Sequence, residues 1–212
     1  MSVHSRCATC GVRACSSEPG AVDIPDYCVM LQEGNGLDEA RAQYDDPETR
    51  ALAVAAAQTE ADRYPLETRV EETMSFARRI GAQRIGVAHC AGLVREAHLY
   101  QQILEANGFE VETVICKVGS IPKEDIGLKD EEKVRPGGYE ALCSPIGQAA
   151  VLNAAGTDLN VLIGLCVGHD SLFFRHSEAP VTVLVAKDRV TGHNPAAVLY
   201  TSQGYYRRVR GE

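Results

Sequence analysis

The chain has 212 residues, 45% hydrophobic and 24% charged, enough for an ordinary packed core and unlike a disordered or fibrous protein. Its formal charge is −8 and its pI is near 5.3, which argues against a nucleic-acid binder, since that would need a basic footprint. The first fifteen residues hold no apolar run, so neither a signal peptide nor a membrane span is expected. The eight cysteines would then sit in a reducing, cytoplasmic setting, where metal or redox chemistry accounts for them better than structural disulfides.

Residues 1–46 are rich in Cys, Gly, Asp and other polar residues and read as a loop-dominated segment, too poor in core to fold without a metal or a docking surface. Residues 47–80 read as a helical connection. Pro47 and Glu48 suit a helix start, Ala51 to Ala61 is an alanine-rich former, and Pro65 breaks the pattern. A second helix is expected from Leu66 to Ile80, ended by Gly81. From residue 81 onward, strands and helices alternate. Strands are expected at Ile85–Cys90, Val111–Cys116, Asn160–Cys166 and Val181–Ala186. Helices are expected at Leu93–Ala106, from Ser144 (an N-cap followed by Pro145) to Ala155, near Asp170–His176, and after Asn194–Pro195. A polar connection over 117–142 is long enough to suggest a functional or mobile element. The pattern predicts an α/β domain over 81–212, a three-layer, mainly parallel, Rossmann-like sheet preceded by the cysteine-rich loop segment and the helical connection.

Cys90, Cys116 and Cys166 each close an expected strand, and Cys143 directly precedes a helix N-cap. In an open parallel sheet the carboxyl ends share one edge, which is where ligands bind. Four thiols are therefore expected at one crevice, with helix N-termini that favour their ionised, metal-binding form. The competing account is core packing, the usual fate of a single strand-end cysteine. Cys7, Cys10, Cys15 and Cys28 form a C-x2-C-x4-C-x12-C set whose first pair has the bite of a metal knuckle. Zinc and an iron–sulfur cluster both suit four cysteines, and spacing does not separate them. A disulfide or unligated state is the remaining alternative for this set.

The same edge should carry Lys117, His169, Asp170 and Lys187, the candidates for charge neutralisation, proton donation or binding of an anionic substrate. Asp188, Arg189, His193 and Asn194 follow close behind Lys187. The plain alternatives are a solvated Lys-Asp-Arg turn and a helix capped by His169–Asp170. No G-x-G-x-x-G follows the first strand, which argues against a nucleotide cofactor.

The stretches CATCGVRAC, HCAGLVREA, ICKVG, CSPIGQAAVLN, GLCVGHDSLFF and KDRVTGHNP resemble an uncharacterised prokaryotic family of conserved, cysteine-rich metal-binding proteins. The match spans most of the chain and is most specific in its last two stretches. It implies that the cysteines are metal ligands and brings no substrate with it. Around Cys143 the chain reads CSP where CNP would be expected, which alters a cap residue and leaves the ligand in place.

The expected function is that of an iron–sulfur protein with a 4Fe-4S cluster on Cys90, Cys116, Cys143 and Cys166. A second cluster or zinc would occupy Cys7, Cys10, Cys15 and Cys28. It would serve electron transfer with a redox partner protein or activation of a small anionic substrate, sulfur compounds included. The alternatives are a zinc protein with a structural or metal-handling role and a dithiol redox protein using Cys7 and Cys10.

Overall fold

The computed structural model describes residues 3–211; positions 1, 2 and 212, at the outer ends of the first and last expected segments, lie outside the described residues. The chain divides into two compact units, Met1–Gln58 and Thr59–Glu212.

The first unit is built mostly of turns, with 3-10 turns at Cys7–Thr9, Ala14–Ser16 and Val29–Leu31. One short helix, α1 (Leu37–Gln43), interrupts the expected loop. It follows Gly36 at φ 76°, and the side-chain Oδ1 of Asn35 accepts from Leu37 N. Helix α2 (Pro47–Asp62) starts at the expected proline, with Asp46 accepting from Thr49 N at 2.8 Å.

Helix α3 (Arg69–Arg79), the first to lie wholly within the second unit, starts three residues later than the apolar spacing suggests. A reciprocal capping box fixes its start. Thr68 accepts from Glu71 N while the Glu71 carboxylate accepts from Thr68 N. Then follow β1 (Arg84–His89), α4 (Val94–Ala106), β2 (Glu110–Ile115), α5 (Pro145–Ala154), β3 (Leu159–Ile163), α6 (His169–His176), β4 (Val181–Val185) and α7 (Ala196–Tyr200). Ser144 caps α5 through Gly147 N, with Pro145 in the first turn, as its sequence predicts.

The four strands form one all-parallel sheet of order β2-β1-β3-β4. One face is covered by α3 and α4, where Met74, Ala77, Ala97, Tyr100 and Leu104 meet Ile85, Val87, Leu159 and Val161. The other is covered by α5 and α6, where Ala149, Leu152 and Phe173 meet Ala88 and Leu162. This is the expected three-layer, Rossmann-like α/β fold. Gly86 allows the second face to close, because a Cβ there would collide with Asn160 Oδ1 and the Leu152 side chain. Arg69 covers the outer edge of β4, its guanidinium donating to Val183 O at 2.6 Å and Thr182 Oγ1 at 3.1 Å.

The two connections that flank β2 in sequence cover opposite faces of the sheet. The α4 crossover runs to β2, and the α5 crossover leads back to β3. The sheet therefore reverses direction between β1 and β3, and a crevice opens beyond their carboxyl ends. Both strands stop short of their cysteines. β1 ends at His89, one residue before Cys90; β3 ends at Ile163, three residues before Cys166. Gly164 causes the early stop, taking φ 67° where a Cβ would fall on the Leu93 side chain. The two loops consequently approach closely at the reversal point.

Among the described residues, no helix is long and apolar enough to cross a membrane.

Candidate metal centre

Cys90, Cys116, Cys143 and Cys166 line one recess at the carboxyl edge of the sheet, together with Pro145, Gln148, Leu165 and His169. Each thiol arrives by a different route. Cys90 and Cys116 follow β1 and β2, Cys143 precedes the cap of α5, and Cys166 precedes α6. Backbone pairing fixes the middle two, since Cys116 N donates to His89 O at 2.9 Å and Ser144 N to Cys116 O at 2.7 Å.

The sulfurs are met by donors and positive charge. Ala91 N approaches Cys116 Sγ at 3.3 Å, and Gly92 N approaches Cys90 Sγ at 3.4 Å. Lys187 Nζ lies 3.5 Å from Cys90 Sγ, and an Arg189 guanidinium nitrogen lies 3.1 Å from Cys166 Sγ. The carboxylate of Asp188 accepts from Val190 N and Thr191 N, so the turn after β4 is locally self-held while Arg189 reaches the site. The Cys116 thiol donates to the Cys143 sulfur, which holds Cys143 down to about 5 against opposing burial, with Lys117 adding to the effect. The same bond, reinforced by burial, pushes the Cys116 thiol up.

Gln148 is fully buried behind the recess. Its amide nitrogen donates to Val114 O at 2.7 Å and His89 O at 3.2 Å, tying together the last turns of β1 and β2. That orientation leaves its Oε1 without a partner among the described residues.

The other predicted site residues fall as follows. His169 lines the recess and also the wider cleft outside it. Lys117 lines that cleft and donates to Ala141 O at 2.5 Å. Asp170 accepts from Gly168 N at 3.0 Å and Ser171 N at 2.9 Å, so its carboxylate serves the start of α6. Lys187 approaches a thiol from the β4 side. Sequence reasoning missed Gln148, whose role depends on which strands are neighbours, and gave Arg189 no role of its own.

In the first unit, Cys7 and Cys10 span a tight turn, with Cys10 N donating to Cys7 O at 3.1 Å. The amides of Arg13 and Val12 and the Tyr27 hydroxyl, 3.6 Å away, donate to Cys10 Sγ and lower its thiol from the ordinary value. Arg13 adopts a left-handed conformation, φ 51°, at the start of the next turn. Ser5 Oγ donates to Cys7 Sγ at 3.2 Å.

Among the described residues, no three His, Cys, Asp or Glu side chains converge closely enough to hold one ion. The crevice thiols share one recess as lining residues. Four soft sulfur donors ringed by N–H groups and two cations are the donor set that suits a thiolate-ligated metal group.

The family model described as "Protein of unknown function (DUF1847)" matches residues 28–184. That span takes in Cys28 and all four crevice cysteines, and starts after Cys7, Cys10 and Cys15. The uncharacterized protein MJ0455 of Methanocaldococcus jannaschii is 44% identical over 164 residues, covering 77% of this chain and 82% of that protein. No solved structure matches. On the strength of these two sequence matches, the chain belongs to the DUF1847 family of proteins of unknown function.

Proposed function

We propose that this chain is a cytoplasmic iron–sulfur protein whose main cluster is held by Cys90, Cys116, Cys143 and Cys166. One observation carries the reading: four thiols from four separate segments line a single recess at the point where the parallel sheet reverses direction. A bound cluster would supply one-electron transfer or, with one iron open to a ligand, Lewis acidity toward a small anionic substrate.

The chain's own groups prepare for an anionic centre. Lys187 and Arg189 offset thiolate charge, and the Ala91 and Gly92 amides donate to sulfur. Cysteine ligates metal as thiolate, so ligation by all four would release the protons that the free thiols carry. His169 and Lys117 stand on the open side, where proton donation to a bound substrate would occur.

Cys7, Cys10, Cys15 and Cys28 are proposed as a second site. The Cys7–Cys10 turn, with backbone amides directed at Cys10, favours either a cluster or zinc there. A zinc protein without catalysis is the second reading, and it rests on that turn.

Anaerobic purification with visible absorption and with iron, sulfide and zinc counts per chain tests both. Brown protein with about eight irons and eight sulfides fits two cubane clusters, and about four irons with one zinc makes the N-terminal site structural. Colourless, zinc-only protein overturns the cluster reading. Cys166→Ser should abolish the crevice cluster and leave the N-terminal metal in place.

A further inference from the structure

The 117–142 excursion forms a braced wall. Its two ends run side by side, bridged at Pro122 and Ala141, with Leu142 N donating to Ile121 O at 2.7 Å. Near its tip Lys133, whose side chain is 3% exposed, pairs with Glu124 and Asp130 and donates to Gly138 O. Lys123 pairs with Glu140, and the Tyr139 hydroxyl donates to Ser120 O at 2.5 Å. Joining a strand to a helix requires nothing so elaborate.

Between this wall and the four thiols lies a cleft of about 600 Å³, a volume typical of small-molecule sites. Its lining is two-faced. Ile126 and Val134 belong to it, yet they lie open to solvent, Val134 being 81% exposed. Exposed branched side chains on a braced wall are what an apolar ligand body would cover.

Charge there runs against the rest of the molecule. The chain carries −8 overall, but the cleft is lined by Lys117, Lys123, Arg135 and Arg189 against the single carboxylate of Glu140. Glu140 is paired with Lys123, Lys117 is engaged with Ala141 O, and Arg189 with Cys166. The guanidinium of Arg135 has no partner among the described residues.

We infer that this cleft binds a small organic anion with a compact apolar body, its charged group on Arg135 and its body on Ile126 and Val134, directly above the thiol recess. The inference deepens the substrate side of the proposed function and depends on that reading for any reaction; binding itself stands on the cleft alone. A simple inorganic anion would leave the apolar wall uncovered, and a neutral apolar molecule would leave Arg135 unused.

The experiment is calorimetric titration of the anaerobically purified full chain with hexanoate, phenylacetate and 3-mercaptopropionate. Phenylacetamide and inorganic phosphate serve as controls, and iron is counted on the same samples. At least one acid should bind saturably at one site per chain, about tenfold or more tighter than either control. Arg135→Gln should weaken that acid by about tenfold without changing phenylacetamide, and Val134→Asp should abolish binding. Absence of saturable binding by all three acids, or binding indifferent to both substitutions, overturns the inference. The iron count separates the two failures. Iron-loaded protein that binds no acid loses the cleft and keeps the cluster; iron-free protein that binds keeps the cleft and loses the cluster.

Discussion

The ammonium of Lys187 stands 3.5 Å from the sulfur of Cys90, linking the segment that leaves β4 to the one that leaves β1. Two glycine backbones flank it at ordinary contact distance. A Cβ on Gly164 would lie 3.5 Å from the Lys187 stem, and one on Gly92 would lie 3.5 Å from its Nζ. A cation held so close to a thiolate stabilises whichever state of the site is more negative. Lys187→Met keeps the stem and removes the charge. On the cluster reading it should retain iron and shift the midpoint potential to more negative values, with Lys187→Arg restoring most of the shift. A redox titration following the visible band reads this directly, and an unchanged potential would show that Lys187 does not sense the site's charge.

Gln148 ties β1 to β2 from beneath the recess. Gln148→Met should leave the Val114 carbonyl without its side-chain donor and cost about 1–3 kcal/mol of stability. Because His89 and Val114 lie just before Cys90 and Cys116, on the cluster reading the variant should also lose iron faster to a chelator. Urea unfolding and a chelator time course measure the two effects. Loss of stability with unaltered iron retention would confine Gln148 to the core.

Gly86→Ala places a methyl against Asn160 Oδ1 and Leu152 in a fully packed layer. The expected cost is about 1–3 kcal/mol, the usual range for overpacking. Gly108→Ala, where nothing lies within contact distance of the added carbon, is the comparison. Its cost should come only from the left-handed backbone at φ 87°. Equal melting temperatures for wild type and Gly86→Ala would contradict the packing described.

Asp158 accepts from Gln83 N at 2.9 Å and Arg84 N at 2.8 Å, bonds that hold its carboxyl below the ordinary carboxylate value. A depressed folded value means the unfolded chain takes up the proton first as pH falls. The stabilisation is therefore complete above the unfolded value and disappears as pH drops through the folded one. Asp158→Asn should be less stable than wild type at pH 7, and the gap should close progressively below about pH 4. Urea midpoints measured from pH 7 to pH 2.5 test it, and a gap independent of pH would rule out the carboxylate as its source.

Local chemistry made part of this molecule readable in advance. Ser144 followed by Pro145 marks the α5 start because capping involves only neighbours in sequence. The Thr68–Glu71 box was equally local; apolar spacing alone extends α3 back to Leu66, whereas the box starts it at Arg69. Helix α1 lacks an apolar stripe to announce it, and β3 looks longer than it is because Leu165 continues the hydrophobic run after Gly164 has turned the chain away. The convergence of Cys90, Cys116 and Cys166 on one edge follows from parallel strands, and that of Cys143 from the helix N-terminus reaching the same edge. The partnerships of Arg189 with Cys166 and of Gln148 with two strand ends depend on strand order, which the linear pattern does not contain.

The order β2-β1-β3-β4 also has a consequence for the nascent chain. Synthesis runs from the N-terminus, so β1 and β2 can pair while the opposite edge of β1, from Ile85 to His89, still awaits Leu159–Ile163. Until then three of the four crevice thiols exist without Cys166, Lys187 or Arg189. A metal captured at that stage would find an open strand edge and an incomplete ligand set. On the cluster reading, productive loading would therefore follow insertion of β3 and closure of β4 beside it, as a late, post-translational event.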